Sequence, residues 1–196
     1  MNCIRKHIIS FAMLLMCATN SAQMKWNQSY QTYINQYKDL AIEQMLRYRI
    51  PASITLAQGL FESRAGQSDL VRQGNNHFGI KCHNWTGPTQ YHDDDARGEC
   101  FRVYQDAKES YEDHSRFLAK QPRYSRLFSL NTTDYKGWAH GLKSCGYATN
   151  PQYANKLIQI IELYRLQDYD KAKSYDRFMA THSGTDVPIN AEGTLH

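Results

Sequence analysis

The sequence predicts a mainly α (α+β) domain, in which amphipathic helices surround one small β-hairpin lobe. Three observations predict it. Apolar residues recur at helical spacing before about residue 70 and again after residue 106. Between these regions the period shortens toward two, around the acidic turn "DDDARG". A chain of 196 residues with 41% hydrophobic and 12% aromatic content has enough apolar surface for one core.

The elements follow in order. "WNQSYQTYINQYKDLAIEQMLRYR" reads as a helix, with Tyr30, Tyr33, Tyr37, Leu40 and Ile42 near helical spacing. Pro51 suits a first helical position, because its fixed φ and missing N–H cost nothing there. Ile54, Ala57, Leu60 and Phe61 continue a buried helix that ends at Glu62. "GQSDLVRQ" is a second short helix, stopped by Gly74-Asn75-Asn76. "HFGIKCHNW" and "TQYHDDDARGECFRVY" read as short strands. Asp106 and Glu109 form a capping-box pattern ahead of Tyr111, His114 and Leu118. "DYKGWAHGLKSC" places Tyr135, Trp138 and Leu142 on one face, and Gly146 suits its end. Asn150-Pro151 opens a last helix, striped by Tyr153, Leu157, Ile160, Ile161 and Tyr164. From about Gln167 polar residues dominate, and 182–196 reads as disordered.

Residues 1–22 pair a basic start, Arg5 and Lys6, with a short apolar run and small residues near Ser21 and Ala22. That is the pattern of a signal peptide, and no later stretch is long enough to span a membrane. A lipid anchor at Cys17 is the alternative, with Met16 standing where a small residue is expected. The expected organisation is a signal peptide at 1–22, one domain at 23–166 and a polar tail at 167–196. Export places the protein in the periplasm or outside the cell, and a monomer is expected. Removing residues 1–22 lowers the formal charge from +4 to +2, too little to argue for nucleic acid.

An oxidising compartment changes the reading of the three remaining cysteines. Cys82 pairs with Cys100, since both lie in strand-like segments around one hairpin, and Cys145 is left over. Zinc held by His77, Cys82, His83, His92 and Cys100 is weighed and set aside, because close ligand pairs are missing. No metal and no cofactor are expected. A cysteine hydrolase using Cys145 with His140 or His114 is a further reading, set below a structural thiol.

Two carboxylate features carry the chemistry. Glu62 closes an apolar helix, where burial would raise its pKa toward that of a general acid; the bland reading is a solvent-facing helix end. Asp93, Asp94 and Asp95 are consecutive, so in extended chain at least one can face a cleft while another faces water. The bland reading is a solvated turn. Acids on two walls of a groove suit glycoside hydrolysis, in which one protonates the leaving oxygen and the other activates water or stabilises positive charge. Tyr147 and Tyr153 flank "GYATNPQYA", either packing the turn or presenting a hydroxyl to a cleft.

The ordered segments "ITLAQGLFESRAGQSDL", "NNHFGIK", "ECFRVY" and "GYATNPQYANKLIQII" resemble glycoside hydrolase family 73, the peptidoglycan endo-β-N-acetylglucosaminidases, over roughly residues 40–166. The resemblance implies a lysozyme-like helical fold with a hairpin lobe. It implies that Glu62 is the catalytic acid and that Tyr147 works in the active site. Asn76 and Phe78 would shape the substrate groove, with Tyr91 and Tyr153 as further substrate contacts. The implied partner is the glycan strand of peptidoglycan. Where many members carry a hairpin glutamate this chain has Gln90, so Asp93 or Asp94 is expected to substitute, with Glu99 behind them. Asn150 and His77 also depart from the common pattern. A muramidase, a lytic transglycosylase and a wall-binding or scaffold module without catalysis are the competing functions.

Overall fold

The computed structural model describes residues 24–94 and 96–174. The expected signal segment, Cys17, Asp95 and the stretch 182–196 lie outside the described residues. Six α-helices appear among them: α1 (Gln28–Tyr48), α2 (Ala52–Glu62), α3 (Asp69–Gly74), α4 (Ala107–Lys120), α5 (Tyr135–Ser144) and α6 (Tyr153–Leu163). One antiparallel hairpin joins β1 (Thr89–His92) to β2 (Glu99–Arg102). Two 3-10 helices, Pro122–Ser129 and Leu166–Lys171, complete the set. No helix among the described residues is long and apolar enough to cross a membrane.

Helix α2 is the centre. Every residue from Ala52 to Leu60 is buried, polar ones included, so this helix has no solvent face. Helices α1, α5 and α6 and the last 3-10 helix all pack on it. Gly59 is required by closeness. A Cβ there would sit 2.6 Å from the Tyr33 hydroxyl and 3.3 Å from the Phe78 ring. The cost of glycine within a helix, roughly 1 kcal/mol, is accepted for that approach.

A buried helix must still satisfy the orphan N–H groups of its first turn. Pro51 has no N–H to satisfy, and Asp170 supplies the acceptors. The Ser53 backbone N–H donates to Asp170 Oδ1 at 2.8 Å, and Ser53 Oγ donates to Oδ2 at 2.6 Å. This corrects the boundary read at residue 166. Polar composition hid a 3-10 helix whose Leu166 is fully buried and whose Asp170 is 4% exposed. Replacing Asp170 by Ala should therefore lower unfolding free energy by about 2 kcal/mol, measured from the denaturant midpoint.

The first strand expected, over 77–85, is absent. Only Lys81 makes an isolated bridge, to Phe101. Backbone bonds from the Cys82 N–H to Cys100 and from the Arg102 N–H to Ile80 flank that bridge, and Asn76 braces it by donating to the carbonyls of Ile80 and Arg102 and accepting from the Ile80 N–H. The hairpin is anchored below. Arg102 pairs with Asp113 of α4 at 2.8 Å, and Tyr104 donates to the same carboxylate. The Cys82–Cys100 disulfide closes the lobe, as the sequence predicts. Cys145 is free.

The 3-10 helix Pro122–Ser129 was not legible in the sequence, because its eight residues span too few turns to show a period. It buries Tyr124 and Leu127. The Asp106 cap behaves as read, accepting from the Glu109 N–H, while Glu109 accepts from the Gln105 N–H.

Candidate active site

A cleft of about 690 Å³ runs between the helical body and the hairpin lobe. Glu62 lines it at the very end of α2. The helix stops there because Arg64, Ala65 and Gly66 all adopt left-handed φ values of 51°, 57° and 79°. The Ala65 N–H closes on the Leu60 carbonyl, and the Gly66 N–H donates to Ser63 Oγ. Left-handed backbone at Arg64 and Ala65 costs about 1 kcal/mol or more for each. The turn is held because Ser63 beneath it is fully buried. Its result is that the chain leaves the helix immediately after Glu62 and exposes that carboxyl to the cleft.

The Glu62 carboxyl is pushed up to about 7. Burial is the main cause, with the Asp94 charge adding to it and a hydrogen bond from Tyr153 opposing it. The Tyr153 hydroxyl donates to Glu62 Oε1 at 3.1 Å. Glu62 is therefore largely protonated in mildly acidic solution and is lost as an acid when pH rises through about 7. An acid-dependent rate should show an alkaline limb near pH 7 in a kcat/KM profile.

The hairpin carboxylates separate. Asp94 lines the cleft. Asp93 does not: its Oδ1 accepts from the Gly98 N–H at 2.8 Å and shapes the turn. Glu99 pairs with Lys81 at 2.8 Å. Gln90 donates to the Leu70 carbonyl, tying β1 to α3.

Tyr147 lines the cleft from the loop between α5 and α6. Its ring lies 5.7 Å from that of Tyr153 at 24°, nearly stacked. Gly146, at φ 75°, turns the chain, and Lys143 Nζ holds the loop through the carbonyls of Ala148 and Thr149. Phe78 also lines the cleft and stacks on the His114 ring at 3.9 Å. His114 is fully buried with neither ring nitrogen bonded, and burial lowers its pKa to about 3, so it stays neutral.

Two of the residues expected to bind substrate, Asn76 and Tyr91, do not line the cleft. Asn76 is 1% exposed and spends its amide on backbone groups, as above. Tyr153 does line the cleft, but it is 1% exposed and its hydroxyl donates to Glu62. Tyr91 is 72% exposed and does not line the cleft. Its neighbour His92 does, and successive strand residues face opposite sides. Sequence reading missed His92, as well as Arg123 and Tyr124, which line the cleft from the unrecognised 3-10 segment.

The rival chemistries lose their parts. Cys82 and Cys100 are consumed by the disulfide and so cannot be metal ligands. The Cys145 sulfur accepts from Arg126 Nε at 3.2 Å, and no histidine bonds it among the described residues.

A helical body facing a hairpin lobe, with a raised carboxyl at a helix end between them, is a domain of the lysozyme-like class. The chain belongs to the glucosaminidase family, described as mannosyl-glycoprotein endo-beta-N-acetylglucosaminidase, which it matches over residues 38–166. The exo-glucosaminidase LytG of Bacillus subtilis is 35% identical over 136 residues, 64% of this chain and 48% of LytG. The peptidoglycan hydrolase FlgJ of Salmonella typhimurium is 32% identical over 139 residues, 64% of this chain and 43% of FlgJ. The chain thus spans about half the length of the curated relatives it matches. Among solved structures, the catalytic domain of the autolysin Auto from Listeria monocytogenes has a TM-score of 0.62 at 30% identity, covering 76% of this chain and 91% of that one. The glycoside hydrolase domain of Salmonella typhimurium FlgJ has a TM-score of 0.59 at 26% identity, covering 78% and 98%.

Proposed function

We propose that the protein is an exported peptidoglycan hydrolase, cleaving the β-1,4 bond on the reducing side of N-acetylglucosamine within cell-wall glycan strands. The observation that carries this reading is Glu62. Its carboxyl lies in a cleft, where burial raises it to about 7 so that it keeps a proton in mildly acidic solution, within electrostatic reach of a second carboxylate. Glu62 delivers its proton to the oxygen of the leaving sugar. Asp94, on the hairpin side, stabilises the positive charge that develops at the sugar ring or activates the attacking water. Tyr147 offers its hydroxyl and ring face to the bound sugar. Burial raises its phenol pKa well above the ordinary range, so it remains a neutral donor.

Family membership supports the bond type, and the relatives named as peptidoglycan hydrolases support the polymer. The same relatives support a location at the cell envelope. A test separates hydrolysis from wall binding. Purified, insoluble peptidoglycan is incubated with the protein, and both the bound protein and the released soluble saccharide are measured. Release that increases with time and enzyme supports the reading. Stable binding without release would replace it with a wall-binding role.

A further inference from the structure

We propose that Gln58 is a positioning residue for Glu62, acting through Tyr153 to fix which carboxyl oxygen carries the transferred proton. The proposal rests on the reading of Glu62 as general acid. Gln58 lies four residues before Glu62 on α2, so the two side chains share a face one turn apart. Gln58 is fully buried. Its Nε2 donates to the Tyr153 hydroxyl at 3.0 Å, and that hydroxyl donates to Glu62 Oε1 at 3.1 Å.

A phenol has one proton. Because the amide of Gln58 occupies the tyrosine oxygen as a donor, the tyrosine proton is directed at Glu62. Oε1 is then an acceptor, and the carboxyl proton resides on Oε2, the oxygen left for the cleft. Without the amide, the tyrosine oxygen is free to accept, and protonated Glu62 gains a second arrangement. In that arrangement its own proton sits on Oε1 and points at Tyr153, away from the substrate.

A second feature supports a role beyond packing. Gln58 Oε1 is buried and has no hydrogen-bond partner. Such an orphan costs about 1–3 kcal/mol, which a methionine of similar volume would avoid. What the amide provides against that cost is the Nε2 donation to Tyr153. The other groups acting on Glu62 come from different elements: Asp94 from the hairpin and Tyr147 from the α5–α6 loop, with Arg64 and Arg123 lining the same cleft. None of them touches Gln58 in a hydrogen bond, so the chain from Gln58 through Tyr153 can be isolated by substitution.

The test is a double-mutant cycle of Gln58→Met, Tyr153→Phe and the pair, read in two ways. One readout is the pH dependence of kcat and KM on peptidoglycan. The other is direct titration of the 13C-labelled Glu62 carboxyl by NMR in the protein without substrate, which needs no turnover. Gln58→Met should move the titration upward by about 0.5–1 pH unit, because the protonated form gains an arrangement. It should lower kcat about tenfold with KM within twofold. In the Tyr153→Phe background the same substitution should change neither value, since the residue through which Gln58 acts is gone. If the Met variant does not fold, Gln58→Asn keeps an amide that is too short to reach Tyr153 and should give the same shift. A Gln58 variant that loses stability but titrates as the parent overturns the proposal. So does an equal effect with and without Tyr153. The proposed function fails on a different result: a parent protein that releases no saccharide, whatever the Glu62 titration shows.

Discussion

Glu62→Gln should abolish saccharide release, lowering kcat by about 10³-fold or more while the protein folds as before. The expected loss follows from the raised Glu62 carboxyl, which lines the cleft and has a proton to give. Glutamine keeps the shape, and its amide oxygen still accepts from Tyr153, but it has no proton to give. The same substitution has an opposite effect on stability. The folded-state pKa of Glu62 is raised from 4.5 to about 7, so the folded protein holds this proton more tightly than the unfolded chain. The stability from that proton is fully present below about pH 4.5 and is lost as pH rises through about 7. At pH 8 the parent therefore holds a desolvated charge that the glutamine variant lacks. Glu62→Gln should be more stable than the parent there, by about 1–3 kcal/mol in denaturant unfolding, and the gain should vanish near pH 4. An inactive but stabilised variant separates a catalytic role from a structural one.

Asp94→Asn should lower kcat by about 10²-fold, whereas Asp93→Asn should stay within about threefold of the parent. The two aspartates are adjacent in the chain and different in the fold. Asp94 lines the cleft and acts electrostatically on Glu62. Asp93 closes the turn through the Gly98 N–H, and asparagine retains the oxygen that accepts this bond. Removing the Asp94 charge also removes one of the influences holding Glu62 up, so the alkaline limb of the Asp94→Asn profile should move down. Steady-state rates across pH on solubilised glycan strands measure both effects. A larger loss at Asp93 than at Asp94 would exchange their roles.

The longer helices were legible because each buries a continuous stripe, whereas α3, which buries only Gly74, was read from the stop signal that follows it. The α6 stripe from Tyr153 to Ile161 and the Asp106 cap of α4 follow directly from spacing and capping chemistry. The place of Glu62 was legible as well, since an apolar run that ends in a carboxylate is itself an anomaly. Which hairpin acid faces the cleft was not. Strand alternation says that neighbours diverge, and only the turn hydrogen bond to Asp93 decides which way. The bond from Tyr153 to Glu62 was not legible, because nothing local shows that a residue 91 positions away will donate to that carboxyl. Asp170 was hidden for the same reason: a polar residue in a polar segment reads as solvated, and its partner is the far-off start of α2. Gln58 lay within reach of sequence reasoning. A glutamine one turn before Glu62, on a helix with no exposed face, has to find a partner.

The central claim, that Glu62 cleaves the glycan on the reducing side of N-acetylglucosamine, is tested most directly by the new chain ends. Purified peptidoglycan is digested with the protein, and in parallel with the Glu62→Gln variant. The products are reduced and identified by mass spectrometry. The account predicts N-acetylglucosamine at the reducing end, formed by the parent and absent with the variant. Reducing muramic acid, an anhydro-muramic end, or the same products from the variant would contradict it.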